Sequence, residues 1–337
     1  MSSTVTNEKA SEPVASLPSG EPIDSAIPPS SSSSSAVSPP KKPAATKGSI
    51  ASLVAATPSA VDTFLTRLHR IASTRSGADT VLFFLTYSAR LSSNLLETAS
   101  RAALRNSANK LVALALQLPP SSAVSFASSS AHPVASPVIG RALNLAARLT
   151  AACTTLSDVR TFGRLWGLLG LYFAAKKLVL SRLAAAKKSG ADKPDAAAAE
   201  SRFDTLVAAA QILALISYQT AENVAYLSSR KVLGFSPAAQ SRLAVWSVRS
   251  WALYVGMELG RLAVERQRRL AAAGGALTAK DAEWSAAWSK DFFRNLAWAP
   301  ITVHWSVANG PLSELAISLL AFYPAVAQMR DVWRANA

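Results

Sequence analysis

Few side chains in this sequence could carry out catalysis. The 337 residues include three histidines and a single cysteine. His69, His132 and His304 each lack a second histidine or a carboxylate three or four positions further on, the spacing that would form a metal pair on a helix. Cys153 lies among small residues on an apolar helix face, which favours packing over nucleophilic chemistry. We therefore expect no enzymatic activity, no metal site and no cofactor.

Positive charge is a stronger chemical signal. Lys and Arg number 35 against 20 Asp and Glu, which gives a formal net charge of +15. Residues 1–57 hold four of each sign, so the excess lies entirely in residues 58–337. Such an excess favours an anionic partner, either nucleic acid or the headgroups of a bilayer. Because half of the residues are hydrophobic and only 16% are charged, we expect a membrane rather than nucleic acid. A soluble basic helical scaffold that binds nucleic acid is the alternative.

The basic residues are concentrated in the region 138–188, which contains nine of them and one acid, Asp158. A solvated helix face usually mixes both signs, because opposite charges one turn apart stabilise a helix. The imbalance therefore predicts contact with an anionic phospholipid membrane, to which each Lys or Arg contributes on the order of 1 kcal/mol. The residues assigned to headgroup contacts are Arg141, Arg148, Arg160 and Arg164.

Apolar residues of the same region form a helical stripe. Residues 141–158 predict an amphipathic helix, and past Asp158 the apolar side chains continue on a shifted face, with Arg160 and Arg164 beside them. The shifted face comprises Val159, Phe162, Leu165, Trp166 and Leu169. Such a stripe is typical of a helix that lies in a membrane interface, and equally of a bundle helix that packs in a core. The residues assigned to a membrane wedge are Leu145, Leu149, Leu156, Phe162 and Trp166.

Composition divides the chain into five regions and predicts an all-α fold. We expect a multi-helix, membrane-associated bundle with basic amphipathic helices and a disordered Ser/Pro-rich tail. The regions are the tail (1–57), an N-terminal helical region with the basic amphipathic helix (58–185), a linker (186–200), a central helical hairpin with a possible membrane span (201–273) and a Trp-rich C-terminal membrane segment (283–337).

Prolines and glycines predict where helices begin and end. Pro58 predicts that the first helix begins near Ser59, and Ser236-Pro237 predicts the start of the second helix of the hairpin. Two helices are expected after the first, from about Asp79 to Ala99 and over 100–118. Further breaks are expected at Pro300, at Gly310-Pro311 and at Pro324.

Uncharged runs were measured against the length of a membrane span, which needs about 20 apolar residues. The run 165–175 has only 11 residues, and the run 205–221 has 17 and includes polar side chains. The run 205–221 is the best candidate for a span, and 295–329 is a candidate for a broken or re-entrant pair.

Three stretches together resemble the peroxin-eleven family of peroxisomal membrane proliferation proteins, in its fungal form. The first is 61–91, where a helix and a Gly-containing turn lead into an apolar helix with the pattern "YSAR". The second is 145–172, a basic amphipathic helix that runs into "VRTFGRL". The third is the C-terminal segment 291–333. The match covers most of residues 59–337 and consists of diffuse patterns in a fixed order.

The resemblance implies a protein of the peroxisomal membrane. Family members insert an amphipathic helix into one leaflet, which bends and elongates the membrane and promotes peroxisome fission and proliferation. It further implies homo-oligomers and cooperation with fission machinery that includes a dynamin-like GTPase. A peroxisomal membrane channel for small solutes is an alternative that the family also implies.

Overall fold

A computed structural model describes residues 50–117, 137–188, 195–274 and 281–336. The part of the predicted disordered tail that precedes residue 50 lies outside these described residues. The same holds for positions 189–194 of the predicted linker.

The described residues form α-helices joined by turns, and none of them forms a β-strand. The helices are α1 (Ile50–Ala72), α2 (Arg75–Gln117), α3 (Pro137–Gly163), α4 (Gly167–Lys188), α5 (Asp195–Ser229), α6 (Pro237–Ala272), α7 (Ala282–Ser306) and α8 (Glu314–Ala335). A 3₁₀ turn, Arg164–Trp166, joins α3 to α4. The predicted all-α class is confirmed, and the association of this bundle with a membrane remains a prediction.

The long helices pack side by side in a defined order. Helix α2 lies between α3 and α8, α7 lies between α8 and α6, and α5 packs on α6 and on α4. Neighbouring helices therefore follow the series α3–α2–α8–α7–α6–α5–α4. The 3₁₀ turn connects the two ends of this series, and it also contacts α5.

Aromatic side chains fill the centre of the bundle. Trp298 of α7 is 0% exposed, and its ring lies 5.1 Å from that of Trp251 and 5.9 Å from that of Tyr87. Phe83 stacks on the same indole at 6.2 Å. Burial raises the pKa of the Tyr87 hydroxyl to about 12, because an ionised phenolate would lose its hydration there. The tryptophans of the C-terminal region thus contribute to the core.

Several predicted helix boundaries were wrong, and tertiary packing explains the two that were predicted at prolines of α7 and α8. Helix α1 begins at Ile50 and runs through Pro58, and α2 is one helix where two were predicted. Pro300 and Pro324 lie inside α7 and α8. A proline removes one backbone hydrogen bond from a helix, but fully buried neighbours such as Ile301 hold the surrounding turns in place.

Two boundaries were predicted correctly. Helix α6 begins at Pro237, and the hydroxyl of Ser236 accepts a hydrogen bond from the Ala239 N–H at 3.3 Å. This is the expected N-cap with proline at the first helical position. The break at Gly310-Pro311 is also present, because α7 ends at Ser306 and α8 begins at Glu314.

Within the described residues, no helix combines the length and the apolar character that crossing a membrane requires. This applies to both candidate spans, 205–221 in α5 and 295–329 across α7 and α8.

Candidate functional site

At the junction of α3 and α4, charged side chains point inward and aromatic side chains point outward. Arg160 is only 2% exposed, whereas Phe162 is 58% exposed and Trp166 is 60% exposed. This reverses the usual arrangement, in which arginines face water and large aromatic rings are buried. Fully burying Phe162 and Trp166 would add about 1.5–3 kcal/mol each to the free energy of unfolding. The bundle by itself lacks this stabilisation, because both rings are exposed.

Helix geometry explains why the two orientations go together. Successive residues of an α-helix are about 100° apart, so residues i and i+2 lie about 200° apart around the axis. Phe162 follows Arg160 by two positions, and Trp166 follows Arg164 by two positions. The flanking Gly163 and Gly167 both keep right-handed helical dihedrals, so the alternation continues through the 3₁₀ turn. Burial of the two arginines therefore places both aromatic rings outside.

Arg160 is held by an ion pair with α2. Its Nε lies 2.9 Å from Asp79 Oδ1, and its Nη2 lies 3.2 Å from Asp79 Oδ2. Its guanidinium also lies over the ring of Phe83, 4.4 Å from the ring centre. A bidentate pair combined with a cation–π contact fixes both the distance and the plane of the guanidinium.

Arg164 is held by an ion pair with α5. Its Nη2 lies 2.6 Å from Glu222 Oε1, its Nε lies 2.9 Å from Oε2, and the Tyr218 hydroxyl donates to Oε1 at 3.2 Å. Burial alone would lower the pKa of this guanidinium, but the adjacent Glu222 carboxylate outweighs burial and raises it. Asn223 also donates to the carbonyl of Leu165 at 3.3 Å. We call the pairs Arg160–Asp79 and Arg164–Glu222 the arginine clamp.

The structure divides the nine predicted membrane-binding residues into two groups. Arg141, Leu145, Arg148, Phe162 and Trp166 are exposed. Leu149, Leu156, Arg160 and Arg164 face inward. In this conformation Arg160 and Arg164 are not available to headgroups, because each guanidinium is already neutralised inside the bundle. The amphipathic stripe of residues 141–158 thus turns partly towards α2, as the alternative interpretation expected.

Exposed apolar side chains continue from the junction along α4. They recur every three or four positions from Val159 to Phe173, and after an interruption at Lys176 and Lys177 they resume at Leu180 and Leu183. The whole set extends over about 36 Å, at 1.5 Å per residue. We call this set the outer stripe: Val159, Phe162, Trp166, Leu169, Phe173, Leu180 and Leu183. Tyr172 and Val179 flank it and are also more than half exposed. Aromatic side chains offer about 150–250 Å² each, so the exposed patch is on the order of several hundred Å². A patch of this size indicates an interaction surface.

Exposed cations precede the outer stripe on α3 and interrupt it on α4. Arg141 and Arg148 are exposed on α3, and Lys176 and Lys177 are exposed on α4. Within the described part of the chain, none of the four forms an ion pair. Asp158, the single acid of this region, already pairs with Arg230. The surface around the outer stripe is therefore apolar and positively charged.

Sequence reasoning missed the two carboxylates of the clamp and the C-terminal half of the outer stripe. Asp79 and Glu222 lie 81 and 58 positions away from their arginines, so no local spacing indicates the pairing. Phe173, Leu180 and Leu183 were detectable, because they continue the helical period of Val159, Phe162, Trp166 and Leu169.

His304 and Cys153 occupy structural positions, whereas His132 lies outside the described residues. The Nδ1 of His304 accepts a hydrogen bond from the Leu312 N–H at 3.0 Å and so supports the turn between α7 and α8. Cys153 is half-buried, and burial raises the pKa of its thiol, which disfavours the reactive thiolate.

The chain is similar to an uncharacterized protein of the fission yeast Schizosaccharomyces pombe. The two are 28% identical over 118 residues, which are 35% of this chain and 54% of that protein. The match thus spans about half the length of that relative. No protein-family model matches the sequence, and no solved structure matches the chain.

Proposed function

We propose that the protein binds an anionic membrane through the outer stripe and bends it, in the manner that the resemblance to the peroxin-eleven family implies. The supporting observation is the reversed orientation at the junction of α3 and α4. Phe162 and Trp166 face outward while Arg160 is buried, an orientation that suits an apolar medium outside the bundle.

The charges around the stripe favour a lipid surface over an uncharged protein partner. Arg141, Arg148, Lys176 and Lys177 supply the cations, and each contributes on the order of 1 kcal/mol near an anionic leaflet. The rings of Trp166 and Tyr172 are suited to the headgroup level. A helix seated about 5–10 Å deep in one leaflet expands that leaflet and favours curvature.

The biological setting follows from the resemblance and belongs to the proposal. The membrane is that of the peroxisome, the outcome is its elongation and fission, and the protein acts without enzymatic activity of its own. Homo-oligomers and fission machinery that includes a dynamin-like GTPase are the proposed protein partners. Tagging the protein with a fluorophore beside a peroxisomal marker tests the location, and diffuse fluorescence would contradict it.

A vesicle assay tests the surface. The full chain is mixed with vesicles that contain about one third anionic lipid, and binding is measured by co-sedimentation and tubulation by electron microscopy. We expect binding that weakens with salt and falls at least roughly tenfold in Phe162→Ser/Trp166→Ser, since two interfacial rings are lost. Trp246→Ser is the matched control, because Trp246 of α6 is also 60% exposed. The proposal would be contradicted if Trp246→Ser lost as much vesicle binding as Phe162→Ser/Trp166→Ser, or if the native protein did not bind the vesicles.

A further inference from the structure

We infer that the arginine clamp is the positioning element of the outer stripe, so that Asp79 and Glu222 determine which side of the α3–α4 segment faces outward. This inference rests on the proposed function only for its consequence at a membrane. The orientation itself is a property of the folded chain in solution.

The clamp opposes the orientation that solvation of these two arginines and two aromatic rings would favour. If the segment rotated by about half a turn, Phe162 and Trp166 would be buried and both arginines would reach water. Burial of the two rings and hydration of the two guanidiniums favour that rotated state in water, whereas burial of Leu171, which lies on the inner side at 1% exposed, opposes it. Two bidentate carboxylates, with Asp79 30% exposed and Glu222 only 2% exposed, oppose the rotation.

The two pairs join different parts of the bundle. Arg160 binds α2, whose neighbours are α3 and α8, whereas Arg164 binds α5, whose neighbours are α4 and α6. The junction is therefore held from two sides, one helical turn apart. The Arg75 guanidinium of α2 also donates to the carbonyl of Gly163 at 2.6 Å, which ties the same turn to α2. Rotation about the helix axis requires that both ion pairs break.

A third ion pair of this segment lacks these properties. Asp158 binds Arg230, and both side chains are more than one third exposed. Water can replace such a pair at little cost. Asp158 is therefore a matched control: it lies on the same segment, it is also a carboxylate, and it pairs with an arginine of the α5–α6 connection.

Cysteine labelling in solution tests the inference without vesicles. Cys153→Ser removes the native thiol, and a single cysteine is placed at either position 157 or position 162, by Ser157→Cys or Phe162→Cys. Ser157 is 6% exposed and Phe162 is 58% exposed, so a water-soluble maleimide should label position 162 much faster than position 157. In Asp79→Asn/Glu222→Gln we expect the ratio of the two rates to fall roughly tenfold or more, since the segment loses its orientation. Asp158→Asn should leave the ratio unchanged.

A folded Asp79→Asn/Glu222→Gln variant with the native labelling ratio would overturn the inference. If that variant does not fold, the exchange Arg164→Glu/Glu222→Arg decides: a native ratio supports the inference, and a changed ratio or an unfolded protein overturns it. Vesicle binding is measured in parallel. If Asp79→Asn/Glu222→Gln changes the labelling ratio but the native chain does not bind vesicles, only the proposed function is rejected. If the native chain binds vesicles but the labelling ratio does not change in that variant, only the role of the clamp is rejected.

Discussion

Two regions of the bundle combine arginines with aromatic rings, and they do so in opposite ways. Where α6 meets α7, Trp288 is 8% exposed and the Arg266 guanidinium lies over it at 4.7 Å, on the solvent side. At the junction of α3 and α4, Arg160 lies inside over Phe83, and Trp166 lies outside. The same residue types therefore build a conventional surface in one region and a reversed one in the other.

The position of the carboxylates explains the difference. In the α6–α7 region, Glu265 lies near the surface: its side chain is 39% exposed and pairs with Arg261. At the junction, Glu222 is 2% exposed, so its arginine must follow it into the interior. A buried carboxylate thus determines which side of a neighbouring helix faces out.

The largest expected effect contrasts the buried and exposed indoles. Trp298→Ala should lower the free energy of unfolding by about 3–5 kcal/mol, because it leaves a cavity in the aromatic core. Trp166→Ala should change it by less than about 0.5 kcal/mol, since the side chain is 60% exposed. Denaturant unfolding followed by circular dichroism measures both. A large loss in Trp166→Ala would show that the outer stripe packs against the bundle.

The next effect contrasts the two carboxylates. Glu222→Gln should destabilise the fold by about 3 kcal/mol, because it leaves the Arg164 guanidinium buried without a counter-charge. Glu265→Gln should cost at most about 1 kcal/mol, as expected for a pair that is about 40% exposed on both sides. Denaturant unfolding measures both variants. Equal losses of stability would contradict the conclusion that the buried Glu222 and the exposed Glu265 differ in their contribution to the fold.

Alkaline pH tests the aromatic core between these regions. Tyr87 has a pKa of about 12 in the fold, against an ordinary value near 10. Its contribution to stability is therefore complete below pH 10 and is lost as pH rises towards 12, by about 2–3 kcal/mol, because only the unfolded chain ionises freely. Urea unfolding at several pH values measures this, and Tyr87→Phe should lack that part of the loss. If the native chain and Tyr87→Phe lost stability identically with pH, the alkaline loss would not come from Tyr87.

The smallest effect concerns charge around the outer stripe. Lys176→Gln/Lys177→Gln should weaken binding to anionic vesicles by roughly thirtyfold at low salt, at about 1 kcal/mol for each lysine. Arg242→Gln/Arg266→Gln removes two exposed arginines of α6 and should have much less effect. Co-sedimentation over a range of salt concentrations measures the difference. Equal losses would show that net charge, rather than the stripe, determines binding.

Local signals predicted much of the fold. The all-α class, the N-cap at Ser236 and the break at Gly310-Pro311 follow from short-range rules, and the structure confirms them. The breaks predicted at Pro300 and Pro324 failed, because packing against neighbouring helices holds turns that lack a hydrogen bond.

The sequence by itself determined the helical period, the uneven charge and the apolar stripe that begins at Val159, since each depends on residues a few positions apart. The direction in which that stripe faces was decided only in the tertiary structure. Arg160 and Arg164 were expected at headgroups because basic residues far outnumber acids in residues 138–188, but Asp79 and Glu222 of distant helices neutralise them inside. A helical period gives two opposite faces, and only long-range contacts determine which of them is buried.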